Sequence, residues 1–306
     1  MPPPALVELL CDVSRATVHY EVRDDRGRTM DTLKVVPDPE GGYLAVYHCG
    51  VGRGMFEVHV ATSPDLATWT SRARLDAFAS QPHILGLDDG GFLVAIEAGG
   101  AGTPPWLRLL DYPTRADLLA GTAARTFDAP HTLVPRRKYA EGTPNIYSAS
   151  ADRERIEVGF HYFRRGRVDR QGRGVLEGFS EWSATPEPYI DSALERWGVR
   201  GNVGGRDAFR WDGREYLLVE GQTEVHGWHT WRTYLYDVAE QSAWPLPILT
   251  HGGSAAIANP SVTLLDLPSG EPGLVVTAYL FHVGAATGEG GPMLFHRATG
   301  RPSAGA

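Results

Sequence analysis

The chain has 306 residues, of which 42% are hydrophobic and 22% charged, and its formal net charge is −8. This composition is typical of soluble globular proteins, and the lack of a basic face argues against a nucleic-acid partner. No apolar run reaches the roughly 18 residues that a membrane-spanning helix needs, and the N-terminus lacks the basic segment of a secretion signal, so we expect no membrane partner and a cytoplasmic location.

A unit of three strand-like runs occurs five times along the chain. The first runs are DTLKVV (31–36), QPHILGL (81–87), TPNIYSA (143–149), DAFRW (207–211) and NPSVTLL (259–265). The second runs are YLAVYH (43–48), FLVAIE (92–97), IEVGFH (156–161), YLLVEG (216–221) and LVVTAY (274–279). The third runs begin near positions 56, 106, 175, 231 and 293.

Short strands of similar spacing, separated by turns rich in Asp, Gly and Pro, are typical of all-β folds and favour a β-propeller. We therefore predict a single five-bladed propeller domain over residues 1–306. The N-terminal run 16–22 is expected to supply the outer strand of the fifth blade and close the ring, which hides a sheet edge. A β-sandwich with variable loops is the competing interpretation. Short helices are expected near 115–122 and 190–198.

The segment VHVATSPDLATWT (58–70) resembles a turn of five-bladed glycosidase propellers, Ser-x-Asp-Leu-x-x-Trp. Here the turn residues are Ser63, Asp65, Leu66 and Trp69. Ser and Asp bond to backbone amides in such turns, and the Trp covers the outer strand. The motif predicts a fold and carries no chemistry of its own.

Two further segments resemble catalytic motifs of these enzymes. EGTPNI (141–146) is similar to the Glu-Gly-Pro motif of family 43 glycoside hydrolases, with a Thr inserted before the Pro. The resemblance implies that Glu141 is the general acid and that Asp31, at the start of the first blade, is the general base. GGRDAF (204–209) is similar to the Arg-Asp-Pro motif of family 32, which implies a sugar-orienting role for Asp207.

Family 43 places its third carboxylate at the start of the second blade, where this chain has Ser80 and Gln81. This departure leaves hydrolysis open. In a propeller the starts of the first strands converge, and polar residues there suit a funnel for a polar ligand. We predict substrate-binding roles for residues near the starts of first runs and the ends of second runs: Gln81, His83, Arg206, Asn259, His161, Glu220, Glu97 and His48.

The predicted function is cleavage of a small glycoside by paired carboxylates, with a sugar or glycoside as the partner. The alternative keeps the fold but makes the protein a cyclase, lyase or isomerase in small-molecule biosynthesis, and a further alternative is a non-catalytic sugar-binding propeller. No cofactor and no catalytic metal are predicted. Because the chain has 11 His, a structural or histidine-bound metal ion is left open.

Overall fold

A computed structural model describes residues 2–100, 102–135, 138–165 and 167–300. These residues form two compact units, Arg23–Glu187 and the combination of Met1–Val22 with Pro188–Ala306. The helices are α1 (Pro4–Cys11), α2 (Arg115–Ala120) and α3 (Pro188–Glu195). The strands are β1 (Thr17–Tyr20), β2 (Asp31–Pro37), β3 (Tyr43–Gly52), β4 (Met55–Ser63), β5 (Thr70–Asp76), β6 (Ala79–Gly86), β7 (Phe92–Ala98), β8 (Trp106–Tyr112), β9 (Arg125–Asp128), β10 (Glu141–Ala149), β11 (Arg155–Arg164), β12 (Val168–Glu177), β13 (Glu181–Pro186), β14 (Val203–Trp211), β15 (Arg214–Gln222), β16 (Trp231–Asp237), β17 (Ser242–Pro245), β18 (Ile257–Asp266), β19 (Pro272–Leu280) and β20 (Gly291–Ala298).

The unit Arg23–Glu187 contains three antiparallel four-stranded sheets, each with its strands in chain order. Blade I is β2–β5, blade II is β6–β9 and blade III is β10–β13. Facing sheets bury apolar side chains between them: Val46 and Val60 of blade I pack with Val94 of blade II, and Leu93 of blade II packs with Val158 of blade III. Burial of this apolar surface is the main force that holds neighbouring sheets together.

The second unit contains blade IV (β14–β17) and blade V, whose strand order is β1-β20-β19-β18. The N-terminal strand β1 pairs with β20 in the register Val18↔Phe295, which confirms the predicted closure of the fifth blade. Helix α1 was not predicted. Its side chains Leu6 and Leu10 are buried in the same core as Phe295, so the N-terminal segment contributes packing as well as pairing.

The first strands of blades I, II, III and V carry a bulge at the same place, and in blade IV the bulge lies between Val203 and Arg206. In those four blades the residue before the bulge is Asp31, Ser80, Gly142 or Ala258, and it pairs with His48, Glu97, His161 or Tyr279 on the second strand. Within the bulge, Thr32, Gln81, Thr143 and Asn259 have φ between 47° and 51°. The shared bulge re-aims these strand starts.

This register corrects one expectation of the sequence. The sequence predicts that the five first-run starts are equivalent. In the structure they differ, because Asp31 precedes the bulge and Asp207 lies beyond it. The residues that lie within the bulge are Gln81, Thr143 and Asn259. Because side chains alternate along a strand, a shift of one residue changes the face on which a side chain lies. The first paired residues beyond the bulges are Lys34, His83, Asn145, Arg206 and Ser261, and Asp207 is the second such residue of its strand.

The turn after β4 has the predicted local structure. Ser63 Oγ accepts a hydrogen bond from the N–H of Leu66 at 2.9 Å, and Asp65 Oδ1 accepts one from the N–H of Thr68 at 2.7 Å. These bonds lower the pKa of Asp65 to about 2. Trp69 is 3% exposed, as expected for a side chain that covers the blade.

Candidate active site

Side chains at the ends of the second strands of blades I, II and IV bond to the next blade. His48 Nδ1 accepts a hydrogen bond from the N–H of Gln81 at 3.1 Å, and Glu97 Oε2 accepts one from the N–H of Thr143 at 2.9 Å. In the other unit, Glu220 accepts the N–H of Asn259 in the same way. The bulge leaves these amides without a strand partner, and the second-strand side chain satisfies them.

Glu97 differs from its equivalents because it is half-buried at a pocket, whereas Glu220 is 4% exposed and is also bound by the N–H of Gly205 at 2.5 Å. Burial raises the pKa of the Glu97 carboxyl above its usual range, and the charge of His161 opposes this only in part. Gly142 makes room for Glu97, since a Cβ on this glycine would overlap the carboxylate.

The pocket beside Glu97 has a volume of about 240 Å³ and lies in blades I and II. Two aromatic side chains line it: Phe78 is 54% exposed and Phe56 is 38% exposed. Ser80 adds a hydroxyl, and the described part of the wall is completed by Gly99, Gly100, Gly102, Thr103 and Pro105. An apolar ring face beside a few polar groups is the usual composition of a small-ligand site.

His161 and Asp169 flank Glu97 on the side of blade III. Both charges act on the Glu97 carboxyl, and His161 Nε2 lies 3.8 Å from Asp169 Oδ1. The His161 side chain is 13% exposed, and among the described residues no hydrogen-bond partner meets its buried Nδ1.

In blade I, the cross-strand pair of Asp31 and His48 is equivalent to the pair of Ser80 and Glu97 in blade II. Asp31 is half-buried at the start of β2, and its Oδ2 accepts a hydrogen bond from Thr29 Oγ1 at 3.4 Å. His48 is 6% exposed and contacts Thr32 Oγ1 at 2.7 Å through Nδ1. Burial lowers the pKa of His48 to about 3, so the ring is neutral at pH 7.

Glu141, the predicted general acid, is 2% exposed. Its Oε1 accepts three backbone hydrogen bonds, from the N–H groups of Thr132 at 2.9 Å, Leu133 at 2.6 Å and Val134 at 3.1 Å. Through these contacts the Glu141 carboxylate holds the loop before β10. The geometry therefore favours a structural role, and the catalytic role of Glu141 stays a prediction of the sequence alone.

The remaining predicted residue of blade II is His83, which is 6% exposed. Its Nε2 lies 2.8 Å from Asn145 Nδ2, and its Nδ1 accepts the N–H of Ile146 at 3.3 Å. Like His48, this histidine bonds to the next blade. Neither of these two bonds is to a residue that lines the pocket.

Of the predicted residues of the second unit, Arg206, Asp207 and Glu220 are buried and Asn259 is half-buried. Asp207 is 1% exposed and its Oδ2 accepts the N–H of Val262 at 2.7 Å, while Arg206 is 5% exposed. Asp207 thus connects blades IV and V. Its predicted role in orienting a sugar, and the predicted substrate contacts of Arg206 and Asn259, stay predictions.

Within the residues that the structure describes, no group of three or more His, Cys, Asp or Glu side chains is arranged to hold a metal ion. In the same part of the chain, no helix is both long and apolar enough to cross a membrane. Cys11 and Cys49 are buried free thiols.

Comparison with known proteins gives structural matches only. No protein-family model matches the chain, and no curated protein matches its sequence. Among solved structures, the chain is similar to an α-L-arabinanase of Penicillium chrysogenum complexed with arabinobiose, with a TM-score of 0.58 at 10% identity over 93% of this chain and 98% of that chain. The chain has the five-bladed β-propeller fold.

Two further matches have the same propeller. A thermostable family 43 glycoside hydrolase has a TM-score of 0.55 at 12% identity over 90% of this chain and 91% of that chain. An α-L-arabinofuranosidase of Lactobacillus brevis has a TM-score of 0.55 at 10% identity over 87% of this chain and 89% of that chain. At such identities the propeller is shared, but the activity has to be argued from the site.

Three pocket residues were not singled out from the sequence: Ser80 as a wall residue, Phe56 and Phe78. Phe78 lies in the short connection between β5 and β6, where a large apolar residue is more often buried. Its exposure becomes visible only in the structure. The first run of the second repeat unit was predicted to start at Gln81, whereas the strand pairing makes the preceding residue, Ser80, the equivalent of Asp31.

Proposed function

We propose that this propeller is a glycosidase-like enzyme that acts on a small glycoside in the pocket of blades I and II, with Glu97 as the proton donor. The observation that carries the proposal is the Glu97 carboxyl, whose pKa is raised by burial at the wall of a pocket with two exposed aromatic rings. Sugar rings present apolar C–H faces, and Phe56 and Phe78 offer the matching surface.

The chemistry follows from the requirements of glycoside cleavage. One carboxylic acid protonates the leaving oxygen, and a second carboxylate activates water or attacks the sugar. Burial raises the pKa of the Glu97 carboxyl and so favours the protonated form that this role requires. Asp31 is the second-carboxylate candidate, because it starts the neighbouring blade at the position equivalent to Ser80, which pairs with Glu97.

The proposal is tested with a series of aryl glycosides, covering arabinofuranosides, xylosides and fructosides, whose leaving groups span a wide range of pKa. Glu97→Gln should lower kcat by about 10²-fold or more for poor leaving groups and far less for nitrophenol, because a good leaving group needs no proton. Glu181→Gln, an exposed carboxylate on β13, is the matched control. An equal loss for all leaving groups would exclude Glu97 as the donor.

A second candidate is a non-hydrolytic acid–base enzyme such as a lyase or isomerase. The observation that favours it is the set of residues equivalent to Asp31, namely Ser80 and Gly142 in blades II and III, neither of which is a carboxylate. A single protonated acid beside a histidine suffices for proton transfer. Retention of sugar binding without hydrolysis of any glycoside in the series would favour this candidate.

A further inference from the structure

Four exposed cations lie together at one end of blade III. Arg164, Arg165 and Arg167 belong to the hairpin that joins β11 to β12, and Lys138 belongs to the loop before β10; we call these four residues the rim cluster. The three arginines, with Val168, line a cavity of about 450 Å³. Guanidinium groups around one cavity are suited to bind an oxyanion.

The hairpin and the loop are held together by direct contacts. The rings of Tyr139 and Phe163 have centroids 5.5 Å apart, and the N–H of Phe163 donates to the carbonyl oxygen of Ala140 at 3.2 Å. Lys138 Nζ lies 5.0 Å from the centroid of the Tyr139 ring. The two segments therefore present their cations as one surface.

The rim cluster has no counter-charge among the residues that the structure describes. Among the described residues, none of its four cations has a carboxylate within ion-pair distance, although the chain as a whole has a net charge of −8. Other arginines of the same unit do have such partners: Arg153 pairs with Asp89 at 2.5 Å and Asp111 at 2.7 Å. Like charges grouped without counter-ions repel one another, so an added anion is favoured here.

The hairpin begins at residues that flank Glu97. His161 lies three residues before Arg164 on β11, and Asp169 pairs with Phe163 across the hairpin. At about 3.3 Å per residue, the start of the rim cluster is roughly 10 Å from His161 along the strand. The rim cluster therefore begins on the same strand as a residue that flanks Glu97.

We propose that the rim cluster binds an anionic substituent of the substrate, a carboxylate or a phosphate ester, and so selects charged over neutral sugars. This inference rests on the proposed function for its location, because it assigns the substrate class of the Glu97 pocket. It predicts binding that weakens with salt, since exposed charges are screened.

The test is equilibrium binding, which needs no turnover. Glucuronic acid, glucose 6-phosphate and glucose are titrated calorimetrically at low and high salt. At least one anionic sugar should bind about tenfold or more tightly than glucose at low salt, and the preference should fall at high salt. Comparison of the two anionic sugars distinguishes a carboxylate from a phosphate ligand.

The variant Arg164→Gln/Arg165→Gln/Arg167→Gln should lose this preference and keep the affinity for glucose. The control Arg26→Gln/Arg196→Gln/Arg210→Gln removes the same charge from exposed positions elsewhere and should keep the preference. Equal loss in both variants, or no anion preference in the natural chain, overturns the inference. Anion binding that survives in Glu97→Gln without glycoside hydrolysis in the natural chain would overturn only the proposed function.

Discussion

Glu97 Oε2 lies 2.9 Å from the backbone nitrogen of Thr143, so a side chain of blade II bonds to the backbone of blade III. Gly142 directly precedes Thr143, and its missing Cβ leaves space for the Glu97 carboxylate. The acid at this pocket is thus contributed from the second strand of one blade to the first strand of the next. This relationship defines both the candidate proton donor and the residue that makes room for it.

Gly142→Ala should destabilise the protein and disturb the pocket. The new Cβ would overlap the Glu97 carboxyl, and added volume at a packed site costs about 1–3 kcal/mol. Urea unfolding measures the change in free energy. Gly86→Ala is the control, because its Cβ would lie 3.7 Å from the Phe92 ring, an ordinary contact. Equal stability of the two variants would show that Glu97 does not occupy the space above Gly142.

The raised pKa of Glu97 makes stability depend on pH with a defined sign. The folded state holds its proton more tightly than the unfolded state, so the stabilising contribution is complete below the usual Glu pKa of about 4.3 and is lost as pH rises through the raised value. Glu97→Gln should therefore gain stability relative to the natural chain as pH rises. Unfolding free energies of both proteins, measured from about pH 4 upward to about pH 8, provide the measurement.

If the difference in unfolding free energy between the natural chain and Glu97→Gln stays constant over this pH range, burial does not hinder ionisation of the Glu97 carboxyl. Glu97→Gln has to be compared with the natural chain at each pH, because His48 contributes to the pH dependence of stability in the opposite direction. Its pKa is lowered to about 3, so its contribution is present above pH 6.5 and is lost as pH falls.

Glu141→Gln distinguishes a structural from a catalytic role. If Glu141 holds the loop before β10, loss of the charge weakens three hydrogen bonds to backbone N–H groups and should cost about 2–3 kcal/mol of unfolding free energy. Any loss of kcat should then be the same for all leaving groups. Unchanged stability together with a loss that grows with leaving-group pKa would identify Glu141 as the proton donor instead.

Glu289 stabilises a loop of the second unit and should make that unit sensitive to acid. Its carboxylate accepts bonds from Thr250 Oγ1 at 2.6 Å, Ser254 Oγ at 2.5 Å and the N–H of Gly252 at 2.6 Å. These bonds lower its pKa to about 2 against the burial that opposes them. Its contribution is present above the usual Glu pKa and is lost as pH falls toward 2.

Glu289→Gln should therefore be less stable than the natural chain at pH 7 and approach it as pH falls, as measured by urea unfolding. Glu271→Gln, an exposed carboxylate in the turn before β19, is the control. A stability difference that is independent of pH would mean that the loop does not depend on the charge of Glu289.

The sequence predicted the propeller because its five first and second runs are regular in length, and the structure confirms the blades and the N-terminal closure. The site was harder to predict, because the bulge changes which residues are equivalent. Asp207 lies beyond the bulge of its strand whereas Asp31 lies before the bulge, and Glu141 precedes Gly142, the residue equivalent to Asp31, by one residue. A one-residue shift is invisible in hydrophobic periodicity yet decides which side chains face a pocket.

The closing strand β1 offers a direct test of how blade V is completed. Val18→Pro removes a backbone donor next to Phe295 in the ladder with β20, and a proline within a strand interrupts pairing. Loss of β1 exposes the edge of β20, so we expect a lower midpoint of thermal unfolding and aggregation. Val18→Thr keeps the branched shape and the N–H and should lower the midpoint far less. If both variants unfold at the same temperature without aggregation, the blade does not depend on its N-terminal strand.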